Sequence, residues 1–329
     1  ENLSSQGNAD WHFKVVDTSI DNGIATITIN RPEAMNALNE TVMAQLGSAL
    51  DDVNSDSSVS TIVLDGAGKA FVAGADVKFF VDKIRADSIS DIYDFTAFGH
   101  QVLDKLESSS KTTIALTTGL ALGGGLELAL ACDYRVGTRR TQFRFPETSI
   151  GIYPGLGGSQ RPARICGIPI ARWAVLAGNF MDAKTASDLG MITHLVDVAA
   201  VDDTVLQISN QGKPANKYPG QAANLQSPVV QFANNFFADG NMSDIINGIC
   251  PQGFDGEDKL VARQMKSLKF TAPIALAKAS ELIDATSSTD LSAGLALELA
   301  GLNEIFSTAD SLEGLSALIE GRRPTYSNQ

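Results

Sequence analysis

The spacing of apolar residues along this chain changes period several times. Ile24–Ile29 (IATITI) alternates β-branched and small residues, the two-residue period of a strand, and Asn30-Arg31-Pro32 ends it. From Asn39 to Val53 the apolar positions Val42, Met43, Leu46, Ala49, Leu50 and Val53 fall at helical spacing, with Asn39 as the N-cap. Ser60–Leu64 reads as a buried strand closed by Asp65-Gly66-Ala67-Gly68, and a helical stretch follows from about Val77 to Leu106. Thr112–Thr117 is a third strand, followed by a glycine turn and a helix from about Gly124 to Ala131; Tyr134–Val136 and Thr141–Phe145 read as further short strands. Strand, turn and helix thus recur to about residue 198, which predicts an α/β core. Residues 199–258 are rich in Asn, Gln, Asp, Gly and Ser, as an insertion or linker would be, with a weak helix at Val229–Phe237. From Lys259 to Glu320 helical spacing returns, and Leu291, Leu295, Leu299, Leu302 and Phe306 need a surface to pack on.

Composition narrows the class. The chain has 329 residues, 44% of them hydrophobic and 19% charged, as in a globular protein with a large core. No run of 18 apolar residues occurs, so no membrane span is predicted. A net charge of −13 with no basic stripe argues against a nucleic-acid partner. The three cysteines, Cys132, Cys166 and Cys250, form no CxxC pair or disulfide framework, which predicts a reducing, cytoplasmic setting. Residues 1–9 are polar and aperiodic, and read as a tag or linker.

The candidate chemistry starts with exclusions. His12, His100 and His194 are far apart with no metal-ligand spacing, so no metal is predicted, and there is no GxSxG elbow for a nucleophilic triad. Gly123-Gly124-Gly125 and Gly155–Gly158 match neither dinucleotide nor P-loop spacing. Two segments, Phe71–Asp76 and Ala121–Glu127, each lead from a glycine-containing turn into a helix. Backbone N–H groups at such turns can stabilise an oxyanion formed at a thioester, and glycine lets the backbone approach a substrate. Glu127 lies in an otherwise apolar helix, LELALAC, where an unpaired carboxylate is costly. Glu147 follows Phe145-Pro146 at a strand end. Two carboxyls with separated pKa values can activate water and return a proton.

At these residues the chain resembles the crotonase superfamily, and enoyl-CoA hydratases most closely. The resemblance rests on NRPEAMNAL at 30–38, AFVAGADVK at 70–78, GLALGGGLELALACD at 119–133 and FPETSIGIYPGLGGSQR at 145–161, with a further match at 306–326. It implies a spiral of ββα turns with a helical C-terminal region. It also implies reversible addition of water across the 2,3 double bond of a 2-enoyl-CoA in fatty-acid metabolism. By resemblance, Ala75 and Gly124 supply the oxyanion N–H groups, Glu127 and Glu147 are the acid/base pair, and Gly155 holds the reacting water. Ala34, Asn36, Ala73, Asp76 and Lys78 fall where the family contacts coenzyme A, which enters as part of the substrate; no separate cofactor is implied. Glu33 stands where Lys is common, and Gly321, beside Arg322 and Arg323, where a terminal Lys is common.

The family's quaternary habit implies a homotrimer or dimer of trimers. The chain divides into a spiral core at 10–198, an insertion or linker at 199–258 and a C-terminal trimerisation region at 259–329. The length of 199–258 and the missing initiator Met suggest the hydratase portion of an archaeal-type 3-hydroxyacyl-CoA dehydrogenase/enoyl-CoA hydratase fusion. The competing readings are a Δ3,Δ2-enoyl-CoA isomerase and, in another class, a non-catalytic scaffold or RNA-binding member of the fold.

Overall fold

The computed structural model describes residues 13–329, so the segment 1–9 and His12 lie outside the described residues. Its two sheets are built by one repeated move. Strands β1 (Val16–Asp21) and β2 (Ile24–Ile29) form an antiparallel hairpin, followed by helix α1 (Glu40–Ser55). Strand β3 (Thr61–Gly66) adds parallel to β2, and the chain then crosses to a second sheet for β4 (Ala70–Ala73) before helices α2 (Val77–Arg85) and α3 (Ile89–Glu107). The next turn repeats the move with β5 (Thr112–Leu116), β6 (Leu120–Leu122) and α4 (Gly124–Leu130). A third turn has β7 (Tyr134–Gly137) and β8 (Gln142–Arg144), then α5 (Arg161–Cys166) and α6 (Ile168–Val175). Strand β9 (Met181–Asp182), helix α7 (Ala183–Leu189) and strand β10 (His194–Leu195) close the core. The resulting sheet orders are β1-β2-β3-β5-β7-β10 and β4-β6-β8-β9. Because each turn gives one strand to each sheet, the loops at the ends of β4, β6 and β8 stack side by side. Those loops carry Ala75, Gly124 and Glu147.

Local sequence explains the elements. In β2, Ala25, Ile27 and Ile29 are buried and their neighbours half-buried, as the alternation predicts. The Asn39 side chain accepts from Val42 N at 2.8 Å and starts α1. The long helix expected over Val77–Leu106 is two helices, because the chain turns at Ala86–Ser88 with Asp87 at φ 55°.

The segment 199–258 contains three α-helices that pack on the core. Helix α8 (Val201–Gln211) covers the outer face of the first sheet, where Val205 and Ile208 pack with Val63, Ile114 and Val136. Each such buried side chain is worth roughly 1.5–3 kcal/mol. Helices α9 (Pro228–Phe236) and α10 (Met242–Ile246) follow, and Phe236 packs on Phe232, Phe237 and Phe254. The last helices are α11 (Lys259–Lys269), α12 (Pro273–Asp284), α13 (Leu291–Ala300), α14 (Leu302–Phe306) and α15 (Ala309–Glu320). They pack on the chain's own core, α15 lying against α2 and the turn that begins at Glu147. That approach is close: a Cβ on Gly314 would come within 2.3 Å of Ile150 O.

Candidate active site

A cavity of about 180 Å³ opens where the loops after β4, β6 and β8 meet. Ala75, Gly124, Glu127, Glu147 and Gly155 all line it, as does Ala73. Its apolar end is closed by Phe80 and Phe95 from α2 and α3, and by Leu302, Phe306, Leu315 and Leu318 from the C-terminal helices. The rings of Phe80 and Phe306 lie 5.3 Å apart, tying α2 to α14. Phe79 packs on Phe95 beside them.

The segment 73–76 is zipped to the loop 31–38. Leu38 N donates to Gly74 O, Asp76 N to Leu38 O and Ala73 N to Met35 O. Asp76 caps α2 by accepting from Lys78 N. Among the described residues, the N–H of Ala75, between these bonds, donates to no backbone acceptor, and neither does that of Gly124 at the first position of α4. Ala75 and Gly124 therefore each border the cavity with a free donor.

Glu127 projects from the first turn of α4. One of its oxygens accepts from Leu156 N at 2.5 Å and from Gly158 N at 2.7 Å. Burial pushes its carboxyl up to about 7, against the pull of those two N–H bonds and of Arg161. Glu147 is held by Pro146 and the single turn Glu147–Ile150. Its Oε2 is buried and has no hydrogen-bond partner among the described residues. Burial first, and the facing Glu127 charge second, push its carboxyl well above the usual range. Two acids in one cavity thus differ: Glu127 keeps two donors that favour its ionised form, while Glu147 is the harder to ionise. Gly155 turns its carbonyl outward to His100 Nε2 at 2.7 Å, and its N–H makes no backbone bond.

The expected coenzyme A contacts are less uniform. The Asn36 side chain is buried and used as a brace: its amide donates to Ala67, Ala70 and Phe71 carbonyls and its oxygen accepts from Arg31 N. Asp76 works as a helix cap. Lys78 is exposed and pairs with Asp82 at 2.6 Å, within reach of solvent. Ala34 sits in the short turn Pro32–Ala34. Arg322, beside Gly321, is engaged by Glu313 and Glu320.

Sequence reasoning missed the layer behind the cavity. Glu298 of α13 is fully buried, and His100 is half-buried next to it. No local pattern flagged Glu298, although a lone Glu in LALELA carries the same signal as Glu127 in LELALAC. Among the described residues no group of three or more His, Cys, Asp and Glu side chains is placed to hold a metal.

The profile of the enoyl-CoA hydratase/isomerase family matches residues 24–329. This chain belongs to that family. A short-chain-enoyl-CoA hydratase of Clostridium acetobutylicum is 28% identical over 91% of this chain and 92% of its own length. A mitochondrial methylglutaconyl-CoA hydratase of Mus musculus is 31% identical over 93% of this chain and 80% of its own. Among solved structures, an enoyl-CoA hydratase from Rhodobacter sphaeroides superposes with a TM-score of 0.79 at 24% identity, covering 95% of this chain and 92% of that one. At that identity the superposition speaks for the crotonase fold alone, the spiral of ββα turns expected from the sequence.

Proposed function

We propose that this family member is an enoyl-CoA hydratase that adds water reversibly across the 2,3 double bond of a 2-enoyl-CoA to give a 3-hydroxyacyl-CoA. The observation that carries the reading is the pair of buried carboxyls facing one cavity that also has two free N–H groups on its wall. The thioester oxygen accepts from the Ala75 and Gly124 N–H groups, which draws electron density from the double bond and stabilises the enolate as it forms. Removing one such donor typically costs about 3–4 kcal/mol of barrier. A water lies between Glu127 and Glu147, with the Gly155 N–H beside it.

The separated acidities support a division of roles. Glu127, clamped by two N–H bonds, is the base that takes a proton as the water oxygen bonds to C3. Glu147, held neutral, gives its proton to C2, and the pair exchanges one proton to reset. An isomerase needs only one carboxylate to move a proton between carbons, so retention of both favours hydration. Two free donors and two buried acids around one space also speak against a non-catalytic scaffold.

The coenzyme A portion is read as leaving the cavity past Ala73, Ala34 and Lys78, with Asp76 and Asn36 shaping the backbone there. No helix among the described residues is long and apolar enough to cross a membrane. A cytoplasmic setting, a homotrimer or dimer of trimers, and a 3-hydroxyacyl-CoA dehydrogenase as fused or separate partner complete the proposal. Incubation with crotonyl-CoA tests it: the conjugated-thioester absorbance falls as 3-hydroxybutyryl-CoA forms. Constant absorbance with crotonyl-CoA, together with conversion of a 3-enoyl-CoA, would select the isomerase instead.

A further inference from the structure

The loop from Gly155 to Ser159 is gripped from two sides by alternating amides. Leu156 N and Gly158 N donate to Glu127. The intervening Gly157 N and Ser159 N donate to Glu298, at 2.8 Å and 3.3 Å, and the Ser159 hydroxyl adds a bond at 3.0 Å. Glu298 comes from α13, far along the chain, and is fully buried. The loop is a run of turns with Gly157 at φ 100°, and its successive N–H groups alternate between two carboxyls, so an acceptor on each side fixes both position and rotation of the loop.

We propose that Glu298 is a positioning residue that holds the 155–159 loop so that its other amides clamp Glu127. The inference rests on the hydratase reading for its kinetic consequence and on geometry alone for the clamp. A buried carboxyl with no ligand of its own is expensive to maintain, and three donors from one short loop explain why this one is tolerated.

The surroundings of Glu298 are specific. Tyr153 donates its hydroxyl to the Glu298 backbone carbonyl at 2.6 Å, joining α13 to the turn before the loop. His100 Nε2 lies 3.7 Å from the carboxyl, but burial pushes that ring down to about 4, so the contact is not an ion pair at neutral pH. Arg161 donates to Leu156 O and is the cation shared by this region, pairing with Glu107 behind the loop. Burial and the Glu127 charge push the Glu298 carboxyl well up, while the Ser159 N–H and hydroxyl, and then Arg161, pull the other way. The groups that face it are therefore Glu127, Glu147, His100, Arg161 and the Tyr153 hydroxyl.

The test is Glu298→Gln in the full chain, which keeps the shape but offers an N–H where the loop already presents N–H donors. Loosening the clamp removes bonds that favour ionised Glu127. The ¹³C-detected titration of the Glu127 carboxyl should then move to higher pH than in the unaltered protein. With crotonyl-CoA as substrate, kcat should fall about 10- to 100-fold, the scale set by a misplacement near 1 Å, with KM unchanged. An unchanged or downward titration of Glu127 would overturn the proposal, since replacing the Glu298 carboxyl without loosening the loop leaves Glu127 with both of its N–H donors. Where Glu298→Gln does not fold, Ser159→Ala, which removes one donor, should give the same upward shift at smaller size; no shift there overturns the proposal equally. The titration is read whether or not the protein hydrates crotonyl-CoA. Failure of the hydratase reading and failure of the clamp are thereby separated.

Discussion

At the residue scale, two backbone features set the site. Gly123 adopts φ +48°, and a Cβ there would stand 2.6 Å from Glu147 Oε1. Gly123→Ala should therefore push Glu147 aside and strain the turn, with the rate of crotonyl-CoA hydration falling more than binding; an unaltered kcat would contradict this. The acidity of Glu127 gives a second prediction. Its carboxyl is raised from 4.5 to about 7, so the folded state holds a proton that the unfolded chain releases earlier. The stabilisation is complete below pH 4.5 and is lost as pH rises through about 7. Thermal midpoints should fall across that interval, and the fall should be smaller in Glu127→Gln. Because the base must be ionised, kcat should rise through the same interval, with Glu147 setting the alkaline limb. What was legible at this scale was residue type in context: a Glu in an apolar helix and glycines before helix starts. Distances that join Glu127 to Leu156 and Gly158 are tertiary and left no mark in the local pattern.

At the element scale, the strands of the core were readable where one face or both faces are buried. Strand β4 was not, because AFVA is short and half of its character comes from pairing with β6. The segment 199–258 shows the limit most clearly. Its polar composition suggests a linker, yet Lys217 reaches inward to Glu107 at 2.7 Å and to the Ala131 carbonyl at the end of α4, the helix that carries Glu127. Tyr218 donates to the same Glu107 at 2.7 Å. Burial raises the Glu107 carboxyl, but Lys217 and then Arg161 outweigh it and keep it ionised. Lys217→Met leaves that carboxylate with fewer partners and should cost about 2–3 kcal/mol, seen as a lower urea midpoint at an unchanged slope. An unchanged midpoint would mean that the segment adds nothing to the hold on α4. Polar residues that pair inward cannot be told from solvated ones by composition, which is why the expectation of an insertion or linker carried no sign of these contacts.

At the scale of the whole molecule, the spiral places three loop ends side by side, and the C-terminal helices cover the apolar end of the cavity they enclose. The same helices leave Phe270 and Leu260 exposed beside Phe180, an apolar border that a second copy could cover. Light scattering on the purified chain should give a mass that is a multiple of three protomers; a monomer would remove the trimer proposal without touching the site. The net charge of −13 keeps such assemblies apart in solution.

The central claim is that one water is bracketed by two acids that do different jobs. Turnover of crotonyl-CoA by Glu127→Gln and by Glu147→Gln, measured beside the unaltered protein with thermal melts to confirm folding, tests it most directly. Each substitution should lower kcat by about 10²- to 10⁴-fold. A folded variant of either kind that hydrates at close to the unaltered rate would contradict it.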